Sequence, residues 1–383
     1  MRRILLACAT AFAMLCSLVV LLTLNGGEPD RALALQRCAE ISDRISRQEC
    51  LTAVITSALG DRSYSSLATE LGALSESVPG FRGDCHAATH RLGNAALAAY
   101  SDTDNLIADT SPRVCGDGMA HSVMESYALN GAESVPDWLE LVQACARYID
   151  REEGRGDGCA HGFGHGTYLA VGPDGGVPTA LALCRQVLLV ARETTLSSAT
   201  STTMDAGCSY GVMMSAYAPA GTDMEPLTQR STILLDCEQL LGRAAREETP
   251  AYIGCMAGGG FALGADLAVN ALPPSEAASD AVRLCLGSST YPASRAAVSC
   301  ADQVLQAAGE LILERAHSTP VPERLVRYHH FCRQLGQSYG EQMRGACLVQ
   351  PRNTVTDSML VSLHAHDPSL TALIESTRVD FGS

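Results

Sequence analysis

The chain has 383 residues and 27 basic ones, all Arg. With no Lys there is no Schiff-base lysine, no pyridoxal-phosphate anchor and no P-loop lysine. A formal charge of −15, 5 % aromatic residues and a single Trp138 leave neither a basic surface for a nucleic-acid backbone nor a platform for stacked bases.

Met1-Arg2-Arg3 precedes an uncharged apolar run from Ile4 to Leu24, the length that a bilayer-spanning helix needs. Arg2 and Arg3 before the run, with Glu28 and Asp30 after it, predict a signal anchor whose N-terminus is cytoplasmic. A cleaved signal peptide is the alternative, with Ala32-Leu33-Ala34 as a small-residue cleavage site, and would leave the protein secreted. Either way the bulk of the chain is extracytoplasmic. The expected organisation is a cytoplasmic stub and transmembrane helix over 1–27, a cysteine-rich helical repeat domain over 28–350, and a tail with a short helix over 351–383. The membrane is then a partner through the N-terminal helix, nucleic acid is not, and an envelope protein is a candidate partner.

Cysteine usage agrees with export. Cys8 and Cys16 fall in the apolar run, and the other 14 form consecutive couples: Cys38/Cys50, Cys85/Cys115, Cys145/Cys159, Cys184/Cys208, Cys237/Cys255, Cys285/Cys300 and Cys332/Cys347. An even number of thiols in an exported chain reads as disulfides, with neighbour pairing the inferred connectivity. The first members recur every 39 to 60 residues, and three of the six steps are 47 or 48. Periods of this order mark stacked supersecondary units.

Each unit is predicted helical. Asp137–Cys145, Thr232–Leu241 and Val304–Leu313 show helical rather than alternating periodicity, and prolines such as Pro136, Pro178, Pro250 and Pro292 punctuate the spaces. The expected hairpin is a helix ending soon after its first Cys, a loop, and a helix opening near its second Cys, stapled by the disulfide. The fold class is therefore all-α, either α-solenoid-like or a compact helical array. The plan resembles tetratricopeptide-like repeats stapled by cysteines in architecture alone, and its variable spacing departs from them, so no function is carried over.

The starts of the second helices align. Asp117-Gly118-Met119-Ala120-His121 matches Asp157-Gly158-Cys159-Ala160-His161, then Ala206-Gly207-Cys208-Ser209-Tyr210 and Ile253-Gly254-Cys255-Met256-Ala257. Repeated Gly and Ser at these offsets are read as close helix packing, including the run Gly162–Gly166. Two further offsets carry His121/Glu125, His161/His165, Tyr210/Met214 and Ala257/Phe261, each pair spaced i, i+4 on one helix face. Upstream, His86 and His90 repeat that spacing one residue out of register.

An i, i+4 pair of His or Glu can hold a transition metal ion from one side. His86, His90, His121, Glu125, His161 and His165 together supply six N/O ligands, enough for a mononuclear or dinuclear site in a helical core. Imidazole suits Zn, Fe or Cu, so ligand type alone does not name the metal. Nearby Met119, Met124, Met213, Met214 and Met256 tilt the choice slightly toward copper, but are read first as core filler. Glu125 is a ligand or a general base. Without metal, the same histidines suit acid–base work. His329 and His330, being adjacent, are read as structural, and His364 and His366 as solvated. The other function class is a non-catalytic disulfide-stapled scaffold that binds a protein or envelope partner; it accounts equally for the replaced pairs Tyr210/Met214 and Ala257/Phe261.

Overall fold

The computed structural model describes residues 28–41, 44–58, 64–77, 82–99, 106–107, 115, 118–130, 134–151, 157–194, 196–217, 230–242, 249–269, 274–287, 294–314 and 321–349. The N-terminal apolar run and the tail over 351–383, with His364 and His366, lie outside them. Among the described residues there is no strand, and no helix is long and apolar enough to cross a membrane. The chain folds as two compact units, Met1–Val123 and Met124–Ser383.

The first unit holds α1 (Glu28–Ala39), α2 (Arg44–Ala58), α3 (Tyr64–Ser77), α4 (Arg82–Ala99) and the head of α5 (Gly118–Asn130). Leu35, Leu51, Ile55, Leu67, Leu71 and Leu92 are buried where α1 to α4 meet. Each fully buried Leu contributes ~1.5–3 kcal/mol relative to exposure. The Tyr64 hydroxyl donates to the Leu92 carbonyl at 3.0 Å, so its one polar atom is satisfied inside this core.

The second unit continues α5 and adds α6 (Val135–Arg151), α7 (Asp157–Thr194), α8 (Ser198–Tyr217), α9 (Arg230–Leu241), α10 (Pro250–Val269), α11 (Pro274–Leu286), α12 (Arg295–Glu314), α13 (Val321–Tyr339) and α14 (Glu341–Val349). Helix α6 shows why the hairpins form. Trp138, Leu141, Val142, Cys145, Tyr148 and Ile149 recur at helical spacing and are buried, while Glu140, Arg147 and Arg151 are exposed.

Beyond Asp117 and Asp157, which the sequence places as N-caps, further helix ends follow local chemistry. Ser197, Thr249 and Ser294 accept the amides of Thr200, Tyr252 and Ala297 at 3.1, 3.5 and 3.2 Å, capping the starts of α8, α10 and α12. At α6 the Asp137 carboxylate accepts the Ser134 amide at 2.7 Å, the returning half of a capping box. Helices α9, α11 and α13 end on Gly242, Gly287 and Gly340, whose φ of 48°, 60° and 101° only glycine adopts without strain. Helix α7 is two helices joined across a kink at Gly172 (φ 74°) and Gly176 (φ 62°), beside Pro173 and Pro178.

All seven neighbouring couples are disulfides, with Cα–Cα distances of 5.3 to 6.2 Å. From Cys145 onward each joins a first helix to the second helix that follows it. The plan changes at Cys85, which opens α4 instead of closing a first helix. The 30-residue span to Cys115 contains all but the first three residues of α4, so this bridge ties the head of α4 to the turn before α5. Seven disulfides are the mark of an oxidising, extracytoplasmic environment.

Within the second unit the second helices pack in chain order, α7 on α8, α8 on α10 and α10 on α12. Small residues permit this approach. A Cβ on Gly211 would lie 2.1 Å from the His161 carbonyl oxygen, and one on Gly164 2.1 Å from that of Cys208, so α7 and α8 meet backbone to backbone. The run Gly162–Gly166 is thus helix packing and not a nucleotide loop.

Candidate metal-binding histidines

In the first unit, α4 and the head of α5 cross at glycine. A Cβ on Gly93 would meet the Met119 carbonyl oxygen at 2.8 Å, and one on Gly118 the His86 carbonyl oxygen at 2.7 Å. That close crossing brings His86 and His90 of α4 against His121 of α5. The ring centroids are 5.5 Å apart for His86 and His121, 4.6 Å for His90 and His121, and 6.2 Å for His86 and His90. His90 and His121 each offer a ring nitrogen within 4.8 Å of the other. His121 is buried, while His86 and His90 are half-buried. His86 Nδ1 lies 3.0 Å from the Cys115 carbonyl oxygen, which orients that ring and leaves Nε2 as its ligand atom. The one-residue slip of the His86/His90 pair has its explanation here: these residues are on α4, which is not one of the aligned second helices, and they reach His121 through packing.

Glu125 stands one turn beyond His121 on α5 and is half-buried. In the second unit its backbone carbonyl would lie 2.9 Å from a Cβ on Gly166 of α7.

The second unit holds the other pair. His161 and His165 sit one turn apart on α7 with their Nε2 atoms 2.8 Å apart. Helix α8 lies over them because Gly207 and Gly211 bring its backbone in. Three of its side chains meet the pair. Met214 Sδ is 3.1 Å from His161 Nε2. Ser215 Oγ is 2.6 Å from His165 Nδ1. The Tyr210 ring packs edge-on against His161 at 4.4 Å between centroids, and its hydroxyl donates to Gln303 Oε1 of α12 at 2.9 Å. His165 and Ser215 are buried; His161, Tyr210 and Met214 are half-buried.

The sequence reading missed Ser215 and misread Met214. Of the five methionines read as core filler, Met119, Met124, Met213 and Met256 are buried in that way. Met214 is not: its sulfur faces an imidazole. Its position four residues after Tyr210 was legible, but a thioether in the His161/His165 register has no distinct signal until α7 and α8 are docked. Nothing in the one-dimensional pattern marked Ser215, which is adjacent to the paired offset. His329 is half-buried and His330 exposed on α13, away from both clusters in the chain.

Clustered imidazoles, with a second ring nitrogen held by the Cys115 carbonyl in His86 and by the Ser215 hydroxyl in His165, can hold a metal ion. An open cleft of about 390 Å³ in the second unit, lined by Leu234, Leu235, Leu284, Tyr252 and Met256 among others, gathers apolar side chains and no such cluster. No protein-family model, curated protein or solved structure matches this chain.

Proposed function

We propose that the protein is a membrane-anchored, extracytoplasmic helical repeat protein that binds transition metal through His86, His90, His121, Glu125, His161 and His165. The observation that carries this is the clustering of five of its ten histidines on helix faces that dock against each other within each unit. Imidazoles packed at 4.6 to 5.5 Å between centroids, or with nitrogens 2.8 Å apart, repel one another once protonated and are better explained as ligands of a shared cation. The seven disulfides take the thiols out of the ligand set and staple the helices that bear it, which pre-organises the imidazoles. Glu125 is assigned as a ligand, or as a general base toward a metal-bound water, whose pKa zinc lowers to about 7. The apolar run Ile4–Leu24 supplies the anchor.

The test is metal analysis of the full-length protein, stripped with chelator and reconstituted in turn with zinc, iron and copper salts. Wild type should retain at least one equivalent of one metal through desalting. The His86→Ala/His121→Ala and His161→Ala/His165→Ala variants should each retain less. A folded wild-type protein that holds none of the metals overturns the reading.

A further inference from the structure

The geometry points to the ligand group of the second unit being a soft site for Cu(I), built from His161, His165 and Met214, with Ser215 positioning His165. This inference rests on the metal reading above and deepens it. Two nitrogens 2.8 Å apart, with a thioether sulfur 3.1 Å from the first, approach the ~3.3 Å that separates neighbouring donors around an ion with bonds of about 2.0–2.3 Å.

Three features make the site selective. A thioether is a soft donor that suits Cu(I) and adds little for Zn(II), Fe(II) or other borderline and hard ions. With an ion on His165 Nε2 the proton stays on Nδ1, 2.6 Å from Ser215 Oγ, which then accepts it and orients the ring. The Tyr210 ring, pinned by its bond to Gln303, packs edge-on against His161 and restricts how many donors can approach. Low coordination number and an N/N/S donor set are what Cu(I) accepts and divalent first-row ions do not favour. In the first unit the donors brought together by ring packing are the imidazoles of His86, His90 and His121.

Competition titration of the full-length protein tests this. Cu(I), supplied anaerobically as its acetonitrile complex, competes against a chromophoric Cu(I) chelator; Zn(II) competes separately against a chromophoric zinc chelator. Met214→Leu keeps the apolar volume and removes the sulfur. It should weaken Cu(I) binding at least tenfold and change Zn(II) binding less than threefold. Equal effects on the two ions, or no effect on Cu(I), overturn the soft site and leave the metal reading standing. Retention of neither ion by wild type overturns both. A second measurement needs no variant. Selenomethionine-labelled wild type loaded with one equivalent of Cu(I) should show a copper–selenium scattering path in X-ray absorption, and its absence overturns the inference even if Met214→Leu fails to fold.

Discussion

His165 Nδ1 and Ser215 Oγ are 2.6 Å apart, both buried, on helices whose backbones touch through Gly164 and Gly211. A serine in this place would act on the imidazole and not on a bound ion. Ser215→Ala should therefore lower affinity for Cu(I) and Zn(II) alike, by ~10–100-fold, the usual effect of losing an outer partner of a metal-ligating His. Ser215→Thr, which keeps the hydroxyl, should recover most of it. Competition titration reads the affinities and circular dichroism confirms the fold. A merely structural serine would shift the thermal midpoint and leave the affinities alone.

Gly211 and Gly345 make a matched pair. A Cβ at Gly211 would be 2.1 Å from the His161 carbonyl oxygen and 2.8 Å from the His165 amide nitrogen, all backbone atoms that cannot swing aside. Gly211→Ala should push α8 off α7 at a cost of ~1–3 kcal/mol, and should separate Met214 from His161. At Gly345, in α14, a Cβ meets nothing within 4 Å. Gly345→Ala should stabilise by ~0.5–1 kcal/mol, because alanine loses less conformational entropy in a helix. Paired denaturant titrations check both signs.

Thiol titration of the denatured, unreduced protein should find none of the 14 cysteines paired in the structure free. Removing the Cys145–Cys159 bridge, which closes a 14-residue separation, should cost ~3 kcal/mol from loop-closure entropy. It should also weaken metal binding, since Cys159 lies two residues before His161 on α7. Denaturant midpoints and metal content of Cys145→Ala/Cys159→Ala measure the two effects.

Tyr328 of α13 is fully buried and donates to the Cys347 carbonyl of α14 at 2.5 Å. Burial pushes its phenol pKa well above the ordinary 10.0. The sign follows from linkage. The folded state holds this proton more tightly than the unfolded state does, so the contribution is complete below about pH 10 and is lost as pH rises beyond it. Tyr328→Phe should cost ~1 kcal/mol near neutrality for the lost hydrogen bond. Its stability should then fall less steeply above pH 10 than that of wild type, as equilibrium unfolding across pH measures.

Much of the scaffold was legible in one dimension because it is written in local or strictly periodic terms. Six of the seven cysteine couples could be paired by neighbours because each closes one hairpin, and a short loop brings its two ends together whatever the rest of the chain does. The i, i+4 spacing set His161 beside His165 and His121 beside Glu125, since one helical turn fixes those neighbours. Cys85 broke the pattern because its bridge spans nearly a whole helix, a choice that spacing alone does not encode. The caps at Ser197, Thr249 and Ser294 were also written locally and went unread.

What the chain could not show by itself is which faces meet. His86 and His90 belong with His121 only because Gly93 and Gly118 let α4 lie on α5. Met214 had the composition of core filler, and only the backbone contact of α7 with α8 turned its sulfur toward His161 and set Ser215 on His165. Residue type and helical register determine which donors share a face. The docking of one helix on another, governed by the smallest side chains at the crossing, decides which of those donors meet at one point.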